Sequence, residues 1–135
     1  MPRPTNALIV DDEAHVRTFL RLLLNEAGIE DCLEATSGDA ALAIVAQHRP
    51  GLVLLDLNLP GMGGLDILDK ISKQHPDTNV IIVTAQSTMH TVKEAVRLGA
   101  VGYILKHNPK AEALASLREL LESMDGEGDE VPSVS

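Results

Sequence analysis

Five times in succession a short apolar run gives way to a stretch with helical spacing, and that alternation leaves few folds open. The apolar runs fall at residues 7–10, 52–55, 80–83 and 101–105, with a weaker one at 31–35. Between them lie four helix-period segments and after them a fifth. In the first, Val16, Phe19, Leu20, Leu23, Leu24 and Ala27 follow the i, i+3, i+4, i+7 spacing of one helix face, and Gly28 closes it. The second covers 39–48. The third covers 65–74, with Leu65, Leu68 and Ile71 on one side. The fourth covers 88–98 and ends at Gly99. The last is expected to start with Asn108 as N-cap and Pro109 as its first residue, and to bury Ala113, Leu114, Leu117, Leu120 and Leu121. Strands without polar alternation are covered on both faces, as in a parallel sheet between helix layers. Right-handed crossovers then predict a doubly wound α/β sandwich.

The length of 135 residues suits one such domain. With no Trp, one Tyr and one Phe, the core must be aliphatic, and aromatic stacking on nucleic-acid bases has almost nothing to use. A formal charge of −9 repels phosphate backbones and disfavours direct nucleic-acid binding. Part of that charge sits near the end, on Asp125, Glu127, Asp129 and Glu130. The lone Cys32 permits no internal disulfide and is expected to be a small packed hydrophobe. No apolar run approaches the roughly 20 residues that span a bilayer, and a cytoplasmic location is expected. The boundaries read as an extension over 1–5, a domain over 6–123 and an acidic tail over 124–135 that is expected to be disordered.

In a parallel α/β sheet, ligands gather at the carboxyl ends of the strands. The residues just past the runs are Asp11 and Asp12, then Asp56, Thr84 and Lys106. Three carboxylates, a hydroxyl and an ammonium are therefore expected on one edge. Carboxylates so close repel one another unless a proton or a cation intervenes. Oxygen ligands alone suit a hard divalent ion such as Mg²⁺. One Asp could then act as a nucleophile toward a phosphoryl group, with Lys106 offsetting charge and Thr84 donating a hydrogen bond.

These residues stand in Leu8-Ile9-Val10-Asp11-Asp12-Glu13, Val53-Leu54-Leu55-Asp56-Leu57-Asn58-Leu59-Pro60-Gly61-Met62-Gly63-Gly64, Ile82-Val83-Thr84-Ala85 and Gly102-Tyr103-Ile104-Leu105-Lys106. In that order the chain resembles the receiver domain of bacterial response regulators, over about residues 6 to 122. The resemblance implies a flavodoxin-like sandwich with strand order 2-1-3-4-5. It implies that Asp56 is the phosphoacceptor, loaded from a phosphohistidine of a sensor histidine kinase or phosphotransfer protein. It also implies Mg²⁺ held by Asp12 and Asp56, by Asp11 through water, and by the backbone carbonyl of Asn58. Thr84 and Tyr103 would form the switch pair, with Tyr103 turning inward. The fourth helix, fifth strand and last helix would form the face for an output partner or a second copy. By the same resemblance the chain would be a signalling switch that assists its own phosphoryl transfer and dephosphorylation, not a dedicated enzyme.

The sequence departs from the family pattern after Lys106. Receivers usually carry Pro there, in a cis peptide; here His107 follows and Pro comes at 109, so a trans or a strained bond is expected. Asn58 and Gln86 hold positions that in this family influence phosphoryl lifetime, and Ala85 is small enough to leave the site reachable. Taken singly, the residues have plainer readings: Asp11-Asp12-Glu13 as a helix start, Thr84 as an N-cap, Lys106 as a solvated side chain. The five histidines share no metal-ligand spacing and are expected at the surface. Two rival functions use similar folds. An aspartate-nucleophile phosphatase of the haloacid dehalogenase type needs Asp-x-Asp after the first strand, where this chain has adjacent aspartates. A flavodoxin-like flavin carrier needs a hydroxyl- and glycine-rich loop there, which three acids would oppose.

Overall fold

The apolar runs become the strands of one parallel sheet, and the three central runs are covered on both sides. The computed structural model describes residues 3–85 and 89–129, the side chains of Met89 and of residues 125–129 excepted. The elements are β1 (Asn6–Val10), α1 (Ala14–Glu26), β2 (Asp31–Ala35), α2 (Gly38–His48), β3 (Leu52–Asp56), α3 (Gly64–Gln74), β4 (Asn79–Thr84), α4 (Met89–Arg97), β5 (Gly102–Leu105) and α5 (Lys110–Asp129). The strand order is β2-β1-β3-β4-β5, all parallel, as expected.

Successive side chains on a strand point to opposite faces, so each buried strand feeds two cores. Ala7 and Ile9 of β1 join Leu52, Leu54, Ile81 and Val83 under α1 and α5. Leu8 and Val10 join Val53, Leu55, Val80 and Ile82 on the other face, with Ala41 and Val45 of α2, Ile67, Leu68 and Ile71 of α3 and Ala95 of α4. Edge strand β2 buries only Cys32 and Ala35 and leaves its other three residues exposed, which is why it reads weakly in the sequence. Cys32 is packed as a small hydrophobe, and burial raises its thiol pKa.

Local chemistry sets the ends. Ser37 caps α2, its hydroxyl accepting from the Ala40 amide at 3.2 Å. Gly28 follows α1 at φ +99, a conformation side chains rarely adopt. Several boundaries differ from expectation. The Pro109 carbonyl accepts the first bond of α5 from Ala113, so α5 begins at Lys110 and Pro109 takes the capping place expected of Asn108. The ladder carries β3 on to Asp56, paired with Val83, and β4 on to Thr84, paired with Leu105. At the far end α5 does not stop at Ser123. Met124 continues the stripe of Leu117 and Leu121 into the core at 6% exposure, and the helix runs to Asp129; residues 130–135 of the expected tail lie outside the described residues. Among the described residues no helix is long and apolar enough to cross a membrane.

Candidate functional site

The strand order reverses between β1 and β3, the place where an open α/β sheet leaves a crevice at its carboxyl edge. Asp11 and Asp12 follow β1, and Asp56 ends β3. One carboxylate oxygen from each lies within 4.8 Å of the others. Asp11 and Asp56 are buried, at 0% and 1% exposure, while Asp12 faces solvent.

Asp11 and Asp56 are held by the same device. Asp11 Oδ1 accepts the Glu13 amide at 2.9 Å, and Asp56 Oδ1 accepts the Asn58 amide at 3.0 Å. Each side chain thus fixes the backbone two residues on, as aspartates do at turns. That leaves both Oδ2 atoms facing Lys106. Its Nζ stands 3.0 Å from Asp11 Oδ2 and 3.2 Å from Asp56 Oδ2, with Glu13 Oε1 at 3.6 Å. The Lys106 amide donates to the Thr84 carbonyl at 2.8 Å, which seats the residue at the end of β5. No cis peptide occurs among the described residues, so the Lys106–His107 bond is trans. Lys106 is not the solvated side chain that its position alone suggests.

Burial pushes the Asp56 carboxyl above its ordinary pKa; the Asn58 amide opposes this, the Asp11 charge adds to it, and Lys106 offsets part of it. For Lys106, burial lowers the ammonium's pKa, but pairing with Asp11 and Asp56 outweighs burial and leaves it above its usual value. The cluster still carries more negative charge than one ammonium can match. Asp11 Oδ2 has that ammonium as an ion-pair partner but no well-directed hydrogen bond. An oxygen-only donor set with surplus charge and an unsatisfied buried oxygen fits a hard divalent cation.

Thr84 is 3% exposed and belongs to β4, not to a helix cap. Tyr103 on β5 is 42% exposed. Between them lies a small apolar recess whose lining includes Leu57, Ile82, Val92 and Ala95. Gln86 lies outside the described residues. Asn58 is exposed at the start of the loop, which is anchored by buried Leu59. His15, His48, His90 and His107 are exposed as expected, but His75 at the end of α3 is half-buried. Two neighbours were not foreseen as site residues. Glu13 approaches Lys106, and Arg17 of α1 donates to the Asp11 carbonyl at 3.0 Å. Glu13 could have been suspected from its place beside the aspartates. Arg17 has no sequence signal that separates it from any basic residue on a helix.

The family model for the response regulator receiver domain matches residues 7–118. The oxygen regulatory protein NreC of Staphylococcus epidermidis is 36% identical over 113 residues, covering 82% of this chain and 52% of that protein. The chemotaxis protein CheY of Thermotoga maritima is 32% identical, covering 84% of this chain and 94% of that protein. The sporulation initiation phosphotransferase F of Bacillus subtilis is 38% identical over 73% of this chain and 79% of that protein. The chain therefore spans about half of some curated relatives and nearly all of others. Among solved structures, the CheY-like receiver domain protein of Methanospirillum hungatei superposes with a TM-score of 0.81 at 27% identity, over 92% of this chain and 98% of that one. The BeF3-activated receiver domain of Klebsiella pneumoniae RstA gives 0.76 at 30% identity, over 86% of this chain and 97% of that one. With its strand-end acidic cluster and five-stranded order, this chain belongs to the response regulator receiver domains of two-component signalling.

Proposed function

We propose that Asp56 accepts a phosphoryl group from a phosphohistidine on a sensor kinase or phosphotransfer protein. The observation that carries this reading is the placement of Asp56 at the end of β3, with Asp11 and Asp12 alongside and Lys106 Nζ at 3.2 Å. In the transfer, a carboxylate oxygen of Asp56 bonds to phosphorus as the phosphorus–nitrogen bond to the donor imidazole breaks. The electron pair stays on that imidazole nitrogen. The Lys106 ammonium moves from the Asp56 carboxylate to the incoming phosphoryl oxygens and offsets their charge. Asp11, Asp12, Asp56 and the Asn58 carbonyl are the groups that would hold Mg²⁺. When bound, the ion would supply positive charge beside the phosphoryl oxygens.

Signalling then follows from geometry across β4 and β5. The Thr84 hydroxyl turns toward the phosphoryl group, and Tyr103 moves from its exposed position into the recess beside Leu57, Ile82 and Ala95. The face built by α4, β5 and α5 is altered and engages an output partner or a second copy, as a pre-existing equilibrium is shifted. The test is incubation with Mg²⁺ and acetyl phosphate, followed by intact-mass measurement. One added phosphoryl group is expected, and none on Asp56→Asn. Undiminished labelling of that variant would overturn the assignment.

A further inference from the structure

Arg17 lies in α1 one helical turn from the acidic pair, and its guanidinium is shared between two jobs. One terminal nitrogen donates to the backbone carbonyl of Asp11 at 3.0 Å, and Nε donates to Glu34 Oε1 at 2.8 Å. The other oxygen of Glu34 accepts from Arg21, at 2.9 Å from Nε and 2.6 Å from the terminal nitrogen. Arg17 itself is 17% exposed. Glu34 stands on β2 in register with Ile9, one residue before the rung that pairs Val10 with Ala35.

The Asp11 main chain is thereby tied from both sides. Its amide donates to the Ala35 carbonyl at 3.1 Å, and its carbonyl is held by Arg17. That carbonyl belongs to the peptide joining Asp11 to Asp12, so fixing it sets the direction in which Asp12 leaves the strand. Asp12 is the exposed member of the cluster, and no side-chain hydrogen bond or ion pair among the described residues orients it. The ion pair with Glu34 has a second effect. It keeps a guanidinium near the cluster from swinging onto the carboxylates and competing with a cation.

We infer that Arg17, locked by Glu34 and Arg21, is a positioning residue for the Asp11–Asp12 pair and thus for divalent-cation binding. This rests on the phosphoacceptor reading of the pocket. Groups behind a ligand shell commonly change metal affinity by about 10–100-fold when lost. Charge alone predicts the opposite sign, since removing a cation beside an acidic cluster should tighten Mg²⁺ binding.

The experiment is Mg²⁺ titration by calorimetry on the full chain, for wild type, Arg17→Met, Arg17→Lys and Asp12→Ala. Arg17→Met is expected to weaken Mg²⁺ about tenfold. Arg17→Lys keeps the charge but not the planar fork that reaches two acceptors, and is expected to lose part of that affinity. Affinity unchanged or increased in Arg17→Met overturns the inference. If Arg17→Met does not fold by circular dichroism, Arg17→Lys decides it, and wild-type affinity there overturns it. Failure of the pocket reading looks different: wild type and Asp12→Ala would then show the same Mg²⁺ affinity.

Discussion

Asp56 shows how a buried carboxylate can cost stability. Its carboxyl is 1% exposed and its pKa is raised, first by burial and then by Asp11. A raised carboxyl pKa means that the folded state binds the proton more tightly than the unfolded state does. The group's stabilising contribution is therefore present at acid pH and lost as pH rises through its folded pKa. Asp56→Asn keeps an oxygen for the Asn58 amide and removes the charge. It is expected to melt higher than wild type at pH 7, with the gap closing as pH falls toward the carboxylate range. Thermal unfolding at several pH values checks this, and a gap that widens in acid would refute it. The raised Lys106 pKa works in the other window: its contribution is complete at neutral pH and fades only above the ordinary lysine range.

At the scale of elements, the loop from β3 into α3 is built on a close backbone approach. A Cβ on Gly64 would lie 2.5 Å from Leu57 Cα and 2.9 Å from the Asp56 carbonyl oxygen. Gly64→Ala must displace main chain next to Asp56. It is expected to destabilise the fold by about 1–3 kcal/mol and to slow labelling by acetyl phosphate; denaturant melts and mass spectra read the two effects. In α5, Leu117 is fully buried, and Leu117→Ala is expected to cost about 2–5 kcal/mol in the same melts. The sequence made most elements legible, because buried parallel strands are unbroken apolar runs and the helices keep a clear period. What it did not show depends on contacts between elements. Asp56 and Thr84 lie inside the ladder because their neighbours extend it, and Met124 joins the core because α5 continues over the sheet. The strand-end residues were legible through topology. The clamp of Arg17 on Asp11 was not, since it depends on Glu34 from a different strand.

For the whole molecule, a ligand that binds only the folded state raises its stability by mass action. Mg²⁺ at a hundred times its dissociation constant is expected to add about 2.7 kcal/mol. Melting temperature should rise with Mg²⁺ in wild type and stay level in Asp12→Ala; an equal rise in both would place the ion elsewhere. The acidic surface attracts cations nonspecifically as well, so the comparison is made at fixed ionic strength. The reach of Lys106 to three acidic side chains has one more consequence. Its ammonium is a built-in counter-ion, attached by its own tether where a dissolved metal would otherwise be the only relief. Stripping divalent ions with a chelator is therefore expected to silence the protein and leave it folded, whereas domains whose metal is their core collapse under the same treatment.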